Sequence, residues 1–169
     1  QKGLLLNKKG TKLIWAVPAN NKITVPDSVT SIADNALKAG KATSVYLGKK
    51  VKMIGKDAIA GKKITKVSIA KKNKSIAKQG QCVYEKKSGK LLIAIAKKNV
   101  VKIGNKVKLI SEDASLCGSR QLKKLDIGAS VKTLQGAWGE FYRAGYVTTK
   151  VYFRSKNPPK LTQNNDCLL

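Results

Sequence analysis

At 169 residues and 42% apolar content, the chain is long enough to bury a core without disulfide staples, which argues against a disordered polypeptide. Thirty-five lysines and arginines against nine acids leave a formal charge of +26, so the surface attracts polyanions: nucleic acid, anionic lipid, teichoic acid or sulfated glycans. There is no histidine, so the commonest general base is missing, Ser-His and Cys-His nucleophile pairs are excluded, and neither an enzyme nor a metal or other cofactor is expected.

Residues 1–21, carrying LLLNKKGTKLIWAVPANN, read as an N-terminal hairpin and cap. Position 1 is glutamine rather than methionine, as in a chain trimmed or processed at its start. Repeats then fill 22–76. KITVPDSVTSIADNALKAGKAT lies over SVYLGKKVKMIGKDAIAGKKIT with Val25 on Leu47, Val29 on Val51, Ile32 on Ile54 and Ala36 on Ala58. The step continues from Val45 to Val67, Leu47 to Ile69 and Ile54 to Ile76. Within each unit a short alternating run such as Ile23-Thr24-Val25 or Val45-Tyr46-Leu47 predicts a strand with one buried face. A second apolar segment, Val29 to Ile32, and a small helical or irregular piece at Ala36-Leu37 or Ala58-Ile59 follow.

Residues 82–99, CVYEKKSGKLLIAIAKKN, predict an inserted hairpin, two apolar runs around a Lys-Ser-Gly turn. Repeats resume over 100–137, with Ile103, Val107, Ile110 and Ala114 in the roles of Val25, Val29, Ile32 and Ala36. Lys12 falls on Lys90 at the same spacing, so the chain reads as hairpin plus repeats, twice. KVYFRSKNPP predicts the final strand, within a cap and tail at 138–169. One unit cannot bury its apolar edge alone, whereas stacked units share a continuous core. The expected fold is therefore a single β-rich solenoid, a right-handed stack of units of about 22 residues with a parallel strand ladder, interrupted by two hairpins.

VPDSVTSIADNAL, VKMIGKDAI, VKLISEDASLCGS and the Tyr…Gly-Lys-x-Leu-Ile hairpins resemble bacterial surface leucine-rich repeats of the BspA-like kind, over residues 4–153. The aromatic usual after the repeat alanine is replaced by Leu37, Ile59 or Ser115, and the last unit, with Trp138, is degenerate. The resemblance implies a secreted or cell-surface location, and roles in adhesion or recognition of a host or cell-wall protein or glycan.

Four features are candidates for function. Thr24, Tyr46, Ser68, Lys102, Asp126 and Tyr152 should alternate outward on the strand face, the usual binding surface of a solenoid. Lys52, Lys74, Lys108 and Lys132 form one column of corresponding positions, and Lys50, Lys72 and Lys106 a second. Like charges so stacked cost stability. They make either an anion track for a polymer or a solvated surface repeated by duplication. Six of the nine aromatics, Trp138, Phe141, Tyr142, Tyr146, Tyr152 and Phe153, crowd one stretch, as a stacking platform or, more simply, an end cap. Cys117 reads as core, since no activating neighbour is evident. The acids recur at repeat positions, Asp57 with Asp113 and Asp34 with Glu112, which marks turns rather than a paired-carboxylate site. Arginine stands only at Arg120, Arg143 and Arg154, so base-reading by arginine forks is not expected. No apolar run approaches the roughly 18 residues of a membrane span.

Overall fold

The structure, a computed structural model, describes residues 3–17, 20–37, 41–60, 63–118, 122–136 and 150–162. The chain winds through about six turns of a β-solenoid, with no helix among the described residues. The expected alternation produces the first face. β3 (Lys22–Thr24), β5 (Ser44–Leu47) and β7 (Lys66–Ile69) form one parallel sheet, and β11 (Val100–Ile103), β14 (Lys124–Ile127) and β16 (Lys150–Phe153) form another. Ile23, Val45 and Val67 pair in register, as do Val101, Leu125 and Val151. All but Val151 are buried, so each rung adds an apolar side chain to the one beneath it. Each fully buried residue of this size contributes about 1.5–3 kcal/mol relative to exposure.

The second face holds β1 (Leu4–Leu6), β2 (Lys12–Ala16), β4 (Ser31–Ile32) and β6 (Met53–Ile54) in one sheet. β12 (Leu109–Ser111), β15 (Thr133–Gln135) and β17 (Lys160–Thr162) make its counterpart. The third side is irregular rather than helical. Ala16 N–H donates to Ala36 O at 2.9 Å and Leu37 N–H to Ala58 O at 2.8 Å. Ala36, Leu37, Ala58 and Ile59 are buried there, and the alanines let turn backbones approach one another.

The two predicted hairpins do the same job. β1 and β2 are antiparallel, and Lys12 of β2 then pairs in parallel with Ser31. β9 (Cys82–Glu85) and β10 (Leu91–Ile95) are antiparallel, and Lys90 bridges in parallel to Leu109. Each hairpin thus supplies the first rung of a second-face ladder. The correspondence of Lys12 with Lys90 is a correspondence of place.

The inserted hairpin is also more than a hairpin. Ile76, which the 22-residue step aligns with Ile54, opens β8 (Ile76–Gln79) and pairs antiparallel with Glu85, making a three-stranded meander with β9 and β10. β10 is buried along its whole length and pairs on its far side with β13 (Ser115–Cys117). Its faces serve different cores. Leu92, Ile93 and Ile95 belong to a cluster with the first repeats, whereas Leu91 and Ala94 belong to a cluster with the later ones. A register shift between Leu91 and Ile93 accompanies the change of side at Leu92. A strand buried on both faces needs a continuous apolar run, and LLIAIA is one.

At this insertion the first-face ladder has a seam between β7 and β11. Side chains stand in for a strand. Gln81 Nε2 donates to Val100 O and Ile95 O, and its Oε1 accepts from Lys102 N–H, all at 2.8 Å. Its amide therefore meets the edge of β11 much as a neighbouring peptide group would. One rung earlier, buried Asn73 donates to Gly48 O and Val51 O and accepts from the N–H groups of Ser75 and Ile76.

Candidate binding surface

The six outward residues of the first face fall into two triplets. Thr24, Tyr46 and Ser68 pair in register across β3, β5 and β7, and Lys102, Asp126 and Tyr152 across β11, β14 and β16. The seam separates them, so the stripe is not one continuous row. The first triplet is neutral and half-buried, a ring and two hydroxyls between buried neighbours. Ser68 Oγ lies 3.4 Å from Val45 O, to which it donates.

The second triplet carries one charge of each sign and is partly occupied by contacts with neighbouring cations. Arg154, directly after β16, donates through Nε and an Nη to both oxygens of Asp126, each at 2.6 Å. That fork holds the Asp126 carboxyl below the usual carboxylate range, assisted by the charges of Lys124 and Lys102. Lys124 Nζ stands 4.5 Å from the centroid of the Tyr152 ring and the Arg154 guanidinium 5.6 Å from it, both within cation–π range. The sequence reading selected Asp126 and Tyr152 but missed Arg154 and Lys124. Arg154 occupies the slot after the strand where Gly104 and Gly128 sit in preceding turns, and that substitution in the repeat register was the available signal.

All seven column lysines, Lys50, Lys52, Lys72, Lys74, Lys106, Lys108 and Lys132, are exposed, and none takes part in an ion pair among the described residues. Lys52 N–H donates to Thr30 O, and Lys132 N–H to Lys108 O, so these positions do stack. Neither column is unbroken. Lys108 N–H donates to Gly89 O in the inserted hairpin, and Lys106 N–H to Gln79 Oε1. The meander therefore lies between Lys74 and Lys108 and between Lys72 and Lys106, leaving short lysine runs on either side of it.

The acids hold turns. Asp27 and Asp34 each accept a backbone N–H one turn on, from Lys49 and Lys56. The bond from Lys49 lowers the Asp27 pKa, with help from the Lys49 and Lys50 charges. Lys56 pairs with Glu112 and Lys90 with Asp113. Asp57 is buried at a positive φ of 51°. Among the described residues no group of His, Cys, Asp and Glu could hold a metal ion. Among the described residues no helix is long and apolar enough to cross a membrane. Cys117 is core, as expected. It and Cys82 are free thiols whose pKa values burial raises, to about 11 for Cys82. Trp138, Phe141, Tyr142 and Tyr146, expected in the cap, lie outside the described residues, as do Arg120, Arg143 and Cys167.

Residues 14–90 match the BspA type leucine rich repeat region, in six copies. Among solved structures, the chain is similar to a leucine rich cell surface protein from Faecalibacterium prausnitzii A2-165, at 21% identity and a TM-score of 0.49. That likeness covers 68% of this chain and 31% of the other. No curated protein matches.

Proposed function

We propose, from the match of residues 14–90 to the BspA type leucine rich repeat region, that this protein is a secreted or cell-surface recognition module of adhesion type. Its partner is a host or cell-wall protein or glycan, bound on the first face. The observation that carries the reading is the register of Thr24, Tyr46 and Ser68. A tyrosine flanked by two hydroxyls on a rigid sheet offers stacking and hydrogen bonding together, which suits a polar partner. Tyr152 belongs to the same surface, although its ring already engages two cations. No catalytic step is part of the proposal. An array of host matrix proteins and neutral and acidic glycans, read with Tyr46→Ala and Tyr152→Ala, tests it. Saturable binding that falls about tenfold or more in Tyr46→Ala supports the first-face site. Binding unchanged in both variants rejects it.

A second reading is favoured by the seven exposed lysines, none of them in an ion pair among the described residues. Under it the protein is a polyanion binder of low specificity, acting on nucleic acid, teichoic acid or sulfated glycan. Its affinity for heparin or duplex DNA then falls steeply and linearly in log–log salt coordinates. Reversing Lys52, Lys74, Lys108 and Lys132 to glutamate abolishes retention. A flat salt dependence removes this reading.

A further inference from the structure

Away from the lysine columns, three lysines border the seam between β7 and β11. Lys66 opens β7, Lys78 lies on β8, and Lys97 follows β10. Lys78 stands opposite Val83, which stands opposite Ile93, and directly opposed side chains share one face of a sheet. Val83 and Ile93 are wholly buried in the first core. The Lys78 stem thus leaves from the core side, and its ammonium surfaces at the open edge of β7, donating to Val67 O at 2.8 Å. Lys66 immediately precedes that valine. Lys97 bridges to Val100, the first residue of β11 on the opposite wall, which Gln81 holds in place.

This arrangement disfavours the charge it carries. Burial lowers the Lys78 pKa, and the like charges of Lys97 and Lys66 lower it further, with no carboxylate among the described residues acting on it. None of the three is in an ion pair among the described residues. An ammonium has three donor hydrogens, and the Val67 carbonyl takes one of those on Lys78. Donors and positive charge are left over at a fixed point on a rigid wall. Lysine serves as a point-charge ligand for phosphate-like groups, without the planar fork arginine would bring.

We propose that Lys66, Lys78 and Lys97 form a binding site for a doubly charged tetrahedral oxyanion, a phosphate or sulfate group. It is separate from the lysine columns and borders the first-face stripe at Lys66, two residues before Ser68 on β7, and it stands whether or not either of those binds a partner. Two negative charges offset two of three clustered ammonium groups, which a singly charged diester cannot do.

The test is an NMR titration that follows the lysine side-chain resonances of the whole protein as inorganic phosphate is added at about pH 8, where phosphate is mostly dianionic. Sodium chloride holds ionic strength constant, and dimethyl phosphate and glycerol phosphate are titrated in parallel. Saturable shifts confined to Lys66, Lys78 and Lys97 are expected. The exposed double variant Lys66→Gln/Lys97→Gln should weaken them about tenfold, and Lys52→Gln/Lys108→Gln should leave them unchanged. Shifts that spread over all lysines, rise linearly, or weaken equally in both double variants overturn the site. Dimethyl phosphate binding as tightly as phosphate overturns the requirement for a dianion. Tighter binding of glycerol phosphate than of inorganic phosphate assigns the group to a carried monoester, and the reverse order assigns it to the free ion.

Discussion

The contact that best shows what one side chain does here is the Arg154 fork on Asp126. Because the folded-state pKa of Asp126 is lowered, its contribution to stability is present above the ordinary carboxylate value of about 3.9 and is lost as pH falls through the lowered one. Arg154→Gln should return the Asp126 titration to the usual carboxylate range, read by side-chain carboxyl NMR, and flatten the acid-side loss of stability. An unchanged Asp126 titration would show that Lys124 and Lys102 suffice. The thiols offer a second check. Cys82 and Cys117 are both fully buried, and the Cys117 thiol packs on Ile59 O. In a Cys167→Ser background, a disulfide reagent at pH 8 should modify neither until the protein opens, at the rate of unfolding. Rapid labelling of the folded protein would contradict that burial.

Among elements, strand alternation and period were legible because every turn repeats one burial pattern, Ile23 over Val45 over Val67. The meander was only half legible. A lone apolar residue such as Ile76 fits the 22-residue step equally well whether its partner runs parallel or antiparallel. Gln81 carried no signal, since a polar side chain replacing a peptide group has no periodicity. The same holds for the site. Alternation picked out Thr24, Tyr46 and Ser68, and the hairpin at 82–99 marked an interruption before Lys102, Asp126 and Tyr152, but not that the first-face ladder would part there and be bridged by side chains. These joints can be tested. Asn73→Ala leaves four backbone groups without their partner and should cost about 2–4 kcal/mol in urea unfolding, whereas Gln81→Ala, nearer solvent, should cost about 1–2 kcal/mol. Gly48→Ala should also destabilise, by about 1–3 kcal/mol, because the new Cβ would sit 2.5 Å from Pro26 O and the backbones must part. Equal, small losses in all three would mean that the rungs are held by apolar burial alone.

For the molecule as a whole, two cores share one wall. Ile93 faces the first core and Ala94 the second, although they are adjacent in β10. Ile93→Ala should cost about 2–5 kcal/mol. Hydrogen exchange should then quicken in β5 and β7 first, with β14 and β15 keeping their protection. Uniform loss across both halves would make the stack a single cooperative unit. Against a pulling force, the shared wall acts as a bulkhead. Tension that opens one compartment meets a strand still anchored in the next, so extension of the protein should proceed in two ruptures rather than one. A tether assembled from such blocks would yield under load by degrees, and the second half would still be folded when the first had let go.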